Sequence, residues 1–281
     1  MATPRSCEPR AVNRALVDRP TRAWRLAGGL AAWAGFLFLL MPTLIIVPIS
    51  LGGARELSFP PRELSFGLYR EFFTDPSWWG ATLQSLKIGI LTMVTSLVLA
   101  VPASYALVRG AFRGRRALNL FLVSPILVPV VVLGLGFYLQ FAGLGIGGTD
   151  LSLVLAHTVL VSPFVIVSVS AGLRQIDPAL ETAATIMGAG RARVFLKIVL
   201  PQIRGSLAVG ALFAFLLSFD EVVASYFVSG PATMTLPVKM YSALRWEISP
   251  VIAAVSAILT AISLAFSLAM LRLQTDTTGH S

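Results

Sequence analysis

Two adjacent carboxylates, Asp220 and Glu221, sit inside an otherwise apolar stretch over 205–229. Ionisable groups in such a stretch are costly and usually face a cavity, a partner or an ion path. They lie about 15 residues into it, roughly 22 Å along a helix rising ~1.5 Å per residue. That is beyond the midplane of a bilayer-spanning segment. Neighbouring helical residues point about 100° apart, so the two acids need not share a role. On a continuous helix Ser218, Glu221, Ser225 and Ser229 form one polar stripe at i, i+3, i+7 and i+11. Glu221 is then placed to attract a cation along that stripe. Asp220 shares its side with Leu216, Ala224 and Phe227, and is expected to pair with a polar group on a neighbouring helix. Farther on, Tyr241 and Trp246 offer aromatic faces for cation–π contact near the outer mouth.

Other chemistry is thin. His157 lies alone in an apolar stretch, and a hydrogen-bonded packing role is expected of it. Gly143-x-Gly145-x-x-Gly148 matches the dinucleotide pattern formally. That pattern requires a βαβ unit, whereas here it joins two apolar segments and reads as a tight turn. No G-x-x-x-x-G-K-[ST] phosphate loop occurs, nor H-E-x-x-H, C-x-x-C or G-x-S-x-G. The single cysteine, Cys7, excludes an internal disulfide and is no basis for a metal site. No enzyme activity, no metal site and no cofactor are expected of this chain.

A second polar region, 174–204, separates two apolar stretches. Asp177 is a helix N-cap candidate and Pro178 suits the first helical position. Leu180, Ala183, Ala184 and Met187 recur at helical spacing and make one small apolar face. Gly188 and Gly190 break this helix and are free to take positive φ. A basic helix from about Arg191 is expected to end before Pro201. The result is a short helix displayed beneath the membrane.

Glu181-x-Ala183-Ala184, then Gly188, then Ile198-x-Leu200-Pro201 resembles the cytoplasmic "EAA" loop of ABC importer permeases. Thr182 falls within the motif core, where small residues vary. The resemblance implies that this loop is a coupling helix seated in a groove of an ATPase subunit. Glu181, Ala183, Ala184, Gly188, Leu200 and Pro201 are then the coupling residues.

The elements that must position these residues are membrane spans. Hydrophobic residues make up 56% of the 281 and charged ones 12%, against about 25% charged in soluble domains; the mean hydropathy is +0.81. A net charge of +9 would suggest nucleic acid in a soluble protein. Here the Lys and Arg sit in loops and tails, so no nucleic-acid partner is expected. Six spans are expected, over 26–51, about 81–108, 117–141, 151–173, 205–229 and 250–271. Residues 1–25 form a basic tail, 26–272 the six-helix permease domain, and 273–281 a second tail. Trp78 and Trp79 are placed like interfacial anchors, and Lys87 can snorkel outward. Pro125 and Pro129 fall inside the third span, and Ser162-Pro163 is expected to kink the fourth.

Charge fixes orientation. The N-terminal arginines, Arg109, Arg113, Arg115 and Arg116, the basic residues of 174–204 and Arg272 share one side. Arg55, Arg62, Arg70, Lys239 and Arg245 share the other. The first set is larger and closer to the span ends, so that side is cytoplasmic, with both termini inside. The motif loop then falls where ATP is.

The run Ser218-Phe219-Asp220-Glu221-Val222-Val223, then Gly230-Pro231, then Leu236-Pro237-x-Lys239 is similar to the second permease of spermidine/putrescine-type ABC importers. The resemblance covers the second to sixth spans and implies the type I importer architecture in a bacterial inner membrane. It also implies a sister permease forming a heterodimer, two ATPase subunits that bind the ATP, and an outer substrate-binding protein. Within that class the cargo is a polyamine, another organic cation or amine-bearing solute, or iron. A self-sufficient secondary transporter would instead show internal repeats and several buried ionisable residues. The chain shows no clear repeat and one strong carboxylate pair in a span.

Overall fold

The structure is a computed structural model describing residues 22–53, 58–247 and 249–278. Most of the expected N-terminal tail, Cys7, Arg55 and residues 279–281 lie outside these. Every regular element among the described residues is helical. Residues 22–68 with 253–278 cluster as one unit, and Tyr69–Ile252 as another.

In the first unit, α1 (Arg22–Ser50) is a long apolar helix that contains Pro42 and Pro48. It starts at Arg22, inside the segment expected to be a tail. The loop expected over 52–80 carries the short α2 (Gly67–Thr74). The last helix, α13 (Val251–Thr278), continues through most of the expected C-terminal tail.

The second unit is built on α3 (Pro76–Arg109) and α6 (Asp150–Gln175). Asp75 caps α3 by accepting from the Ser77 N–H at 2.8 Å, with Pro76 at the first turn. Thr149 and Ser152 cap α6 reciprocally. Ser85, Thr92, Ser96 and Ser104 of α3 are all buried. Small residues on one face let helices approach closely within a bilayer. The α6 side of this core is Val161, Val165, Val169 and Leu173.

Trp78 is not an interfacial anchor. It is buried, and the Lys239 ammonium lies 5.4 Å from its ring centre. Lys87 does not simply snorkel: its Nζ is 2.7 Å from Asp150, which also accepts from Gln84. Helix α6 matches the expected fourth span and runs through Pro163.

The third expected span is broken. Residues 117–141 divide into α4 (Arg115–Val123), a 3₁₀ turn over Ser124–Leu127, and α5 (Val130–Gly143). The two limbs meet at 104°. Pro125 and Pro129 lack the N–H groups a continuous helix needs, and their rings clash with the preceding turn. The Gly143–Gly148 segment is a tight turn, with Gly145 and Gly148 at φ +71° and +74°.

Beyond α6 come α7 (Pro178–Ile186), α8 (Arg191–Val194), a π turn over Phe195–Val199, and α9 (Leu200–Gln202). The basic segment therefore does not stop before Pro201. The π turn passes the Leu200 N–H to Phe195 O, and Pro201 starts a new turn where no N–H is required. Then follow α10 (Arg204–Phe219), α11 (Val223–Val228) and α12 (Leu236–Ser242), the last continued by a π turn over Ala243–Glu247. Tyr241 and Trp246 thus stand on helical turns and not on an irregular loop.

Three helices among the described residues are long and apolar enough to cross a membrane, or up to five if each sharply bent pair is one span. The apolar part of α13, Val251–Ala265, is shorter.

Candidate functional site: a displayed loop helix and a broken span

Helix α7 is fastened from beneath. The Asp177 carboxylate accepts from the Ala179 N–H at 2.9 Å, and Pro178 fills the first turn as expected. Gly188 takes φ +88° and closes the helix; its Met187 and Ala189 neighbours bond back to Ala183 and Ala184. Gly190, by contrast, has φ −67° and uses no glycine-specific conformation.

The motif residues divide between two faces. Ala184 is buried against Leu173, Ile176, Val194 and Val199. Leu200 packs partly buried on the same core. Ala183 and Pro201 are exposed, as are Leu180, Ile186 and Met187, the last two over four-fifths of their surface. Leu180, Ala183, Ile186 and Met187 make the apolar face of α7 and its C-cap. Gly188 is exposed too, and a Cβ there meets open space. Its requirement within this chain is therefore conformational.

Glu181 points inward. Its side chain is only 13% exposed; Oε1 accepts from Arg109 Nε at 2.7 Å and Oε2 from the Tyr105 hydroxyl at 2.7 Å. The same guanidinium donates through its terminal nitrogen to the carbonyls of Leu173 and Ile176 at 3.0 and 2.9 Å. Arg109 therefore joins the end of α3, the end of α6 and the start of α7. The carboxylate expected on the displayed face is an internal strut. Sequence reading passed over Arg109 and Tyr105 as partners. The available signal was an arginine closing one span and, in the basic loop 174–204, an acid other than the capping Asp177.

The second site is the break between α10 and α11. The expected stripe is not continuous, because the chain leaves the helix at Asp220 and resumes it at Val223. Glu221 is half-buried and accepts from the Ala224 N–H at 2.8 Å, one of the donors left over at the start of α11. Asp220 is exposed; its backbone N–H donates to the Leu216 carbonyl, but no hydrogen bond or ion pair joins its carboxylate to any described residue. The partner expected for it is therefore not supplied from within this unit.

His157 has the packing role expected of it. It is 1% exposed, with Nδ1 2.7 Å from Ser218 Oγ and Nε2 2.8 Å from Ser225 Oγ. One imidazole thus bridges the two sides of the break. Ser218 and Ser225 are both buried and face α6. His157, Ser218 and Glu221 also line a cavity of about 420 Å³ with Pro125, Pro129 and Phe164. Both prolines of the bent third segment therefore meet the break in the fifth. Tyr241 lies edge-on to Tyr226, 5.5 Å between ring centres, and Trp246 is exposed. Neither makes a hydrogen bond or ring contact with Asp220 or Glu221.

Known proteins share this chain over most of its length. It is 33% identical over 232 residues to the putrescine transport system permease protein PotI of Escherichia coli (strain K12), covering 80% of this chain and 82% of the relative. It is 29% identical over 254 residues to the spermidine/putrescine transport system permease protein PotC of the same strain, covering 90% and 96%. In fold it resembles a chain of a bacterial ABC transporter involved in alginate import, with a TM-score of 0.71, 18% identity, and coverage of 92% and 97%. Residues 97–275 match the family described as binding-protein-dependent transport system inner membrane component, a span that includes both the displayed helix and the broken segment. The chain is a member of that family of transport permeases.

Proposed function

We propose that the chain is a membrane-spanning permease subunit of an ATP-driven importer, moving a polyamine-like cationic solute by alternating access. The observation that carries this reading is helix α7: it shows an apolar face outward while Arg109 and Glu181 tie it to the spans. Such a helix can receive motion from an ATPase and deliver it to α3 and α6. Identity to two permeases named for putrescine and spermidine supports the cargo class. The assembly has this chain beside a sister permease, two ATPase subunits and an outer binding protein. ATP is held by the ATPase subunits, and no cofactor resides in this chain. It sits in a bacterial inner membrane with six spans and both termini cytoplasmic. The charge asymmetry supports that orientation.

The two carboxylates exchange the roles expected from a continuous helix. Asp220, exposed and unpartnered, is the group that meets a cationic cargo or the sister permease's polar surface. Glu221 holds the break by capping α11. Ser218 and Ser225 serve the same break through His157. Tyr241 and Trp246 remain aromatic candidates toward the outer mouth.

The test is uptake by the full assembly in proteoliposomes, with labelled putrescine and spermidine outside and ATP inside. Saturable uptake that needs both ATP and the binding protein is expected. Uptake without ATP, driven by an ion gradient, would identify a secondary transporter. ATP-driven uptake of other solutes but of neither amine would overturn the cargo class.

A further inference from the structure

Arg115 and Arg116 begin α4, and Arg174 lies in the last turn of α6. They are far apart in sequence, yet they line one cavity of about 380 Å³ with Asn119 and Ser170, over an apolar floor of Leu107 and Val108. That volume is within the roughly 300–1,000 Å³ of small-ligand pockets. The two ion pairs among the described residues are Lys87–Asp150 and Arg109–Glu181, so none of these three arginines has a carboxylate partner there. Arg115 spends one guanidinium N–H on the Gly110 carbonyl; the guanidiniums of Arg116 and Arg174 make no hydrogen bond to a described residue. Like charges gathered around one space repel unless an anion lies between them. Planar guanidiniums, an amide and a hydroxyl together suit phosphate oxygens.

Helix α4 is itself two-sided. Arg115, Arg116 and Asn119 share one face, while Leu118 and Phe121, three residues apart, are exposed elsewhere on the helix. The limb containing α4 meets α5 at 104°. The limb then runs along α6: Asn119 lies beside Ser170 and Arg174, and Pro125, just past α4, beside Leu160 and Phe164. Arginines at the start of such a limb, with Leu and Phe exposed beyond them, put head-group and acyl-chain chemistry side by side. Basic pockets between spans on the cytoplasmic side suit anionic lipid head groups.

We infer that this cavity binds a phosphate-bearing anion, with the head group of an anionic membrane phospholipid as its occupant. The phosphate lies among Arg115, Arg116 and Arg174, and the acyl chains leave along Leu118 and Phe121. A lipid held there braces α4 against the end of α6, one turn from the carbonyls that Arg109 holds. This goes beyond the transport reading and does not depend on the cargo.

The experiment uses the whole purified transporter in detergent, followed by native mass spectrometry. Dioleoylphosphatidylglycerol, dioleoylphosphatidylcholine and inorganic phosphate are added separately. Retention of phosphatidylglycerol by the unmodified complex is expected to exceed that of phosphatidylcholine. The double variant R116Q/R174Q should lose it by about tenfold or more, the scale set by two arginines at a charged membrane surface. R116K/R174K should keep part of it, since charge is retained without the planar fork. R113Q, in the same basic loop but outside the cavity, should keep all of it, separating the site from general loop charge. If the glutamine variant does not assemble, the lysine variant and R113Q carry the comparison. Equal retention by R113Q and the arginine-pocket variants overturns the inference. Displacement of the lipid by millimolar inorganic phosphate assigns the pocket to a soluble anion and overturns the lipid occupant. Unchanged lipid retention with loss of the ATPase subunit reassigns these arginines to protein docking.

Discussion

Glu181, in the first turn of α7, and Glu221, in the gap between α10 and α11, are held in opposite ways. Glu181 is bound by Tyr105 and Arg109, 76 and 72 residues earlier in the chain. Glu221 is bound by the Ala224 N–H, three residues on. The loop around Glu181 is otherwise shaped locally, by Asp177, Pro178 and Gly188. The break around Glu221 is otherwise closed from afar, by His157 on α6. Each site thus joins one local and one long-range device, with the carboxylate on opposite sides of the division. A carboxylate tied across the fold moves only with the elements it joins, which suits force transmission. One that caps its own helix leaves its neighbour, Asp220, free to meet whatever lies outside the unit.

The strongest way to break this contrast is Arg109→Ala. It leaves a largely buried carboxylate with one neutral donor and frees the Leu173 and Ile176 carbonyls. Removing one partner of a fully buried pair costs about 3–5 kcal/mol, an upper bound for this part-buried one. ATP-driven uptake is expected to fall more than tenfold with ATP hydrolysis retained, measured as solute moved per ATP in proteoliposomes. Arg109→Lys should recover part of the coupling. Uptake at the unmodified ratio in Arg109→Ala would show that α7 does not act through this strut.

His157→Leu tests the other long-range device. It removes two hydrogen bonds and strands two buried hydroxyls, each worth about 1–3 kcal/mol. The complex should unfold at a lower temperature in a thermal-shift assay. The ATPase subunit should remain bound, since α7 is untouched. An unchanged transition temperature would mean that the break is held without the imidazole.

A smaller effect, and a sharper one, separates the adjacent acids. Asp220→Asn should raise the KM for putrescine severalfold with assembly intact. Glu221→Gln keeps an acceptor for the Ala224 N–H and should change KM little, while Glu221→Ala should lower thermal stability. Normal KM in Asp220→Asn combined with a raised KM in Glu221→Gln would restore the roles read from the continuous stripe.

Gly188→Ala is expected to have the least effect. Its Cβ has room, but φ +88° costs an L-residue about 1–2 kcal/mol. Coupling should fall a few-fold, and Gly188→Asn should restore much of it, because asparagine tolerates this conformation. Equal loss in both variants would point to a tight contact with another subunit instead.

Composition and periodicity determined that the chain is helical and membrane-embedded, because apolar runs of span length leave the backbone no other way to satisfy its polar groups. Local signals also determined α7: a capping aspartate, a proline in the first turn and a glycine at positive φ act within a few residues of each other. The spacing of Pro125 and Pro129 marked the third segment, but its 104° bend requires neighbours against which the limbs can pack. The same limit applies to Asp220. A helical wheel assumes an unbroken helix, and the run from Ser218 to Ser225 carries no proline or glycine to announce a break. Tertiary structure decided it there, when His157, more than 60 residues away, offered two buried serines partners across the gap. It also decided which way Glu181 points, because the arginine that turns it inward lies on another helix, and spacing along the chain carries no record of that distance in space.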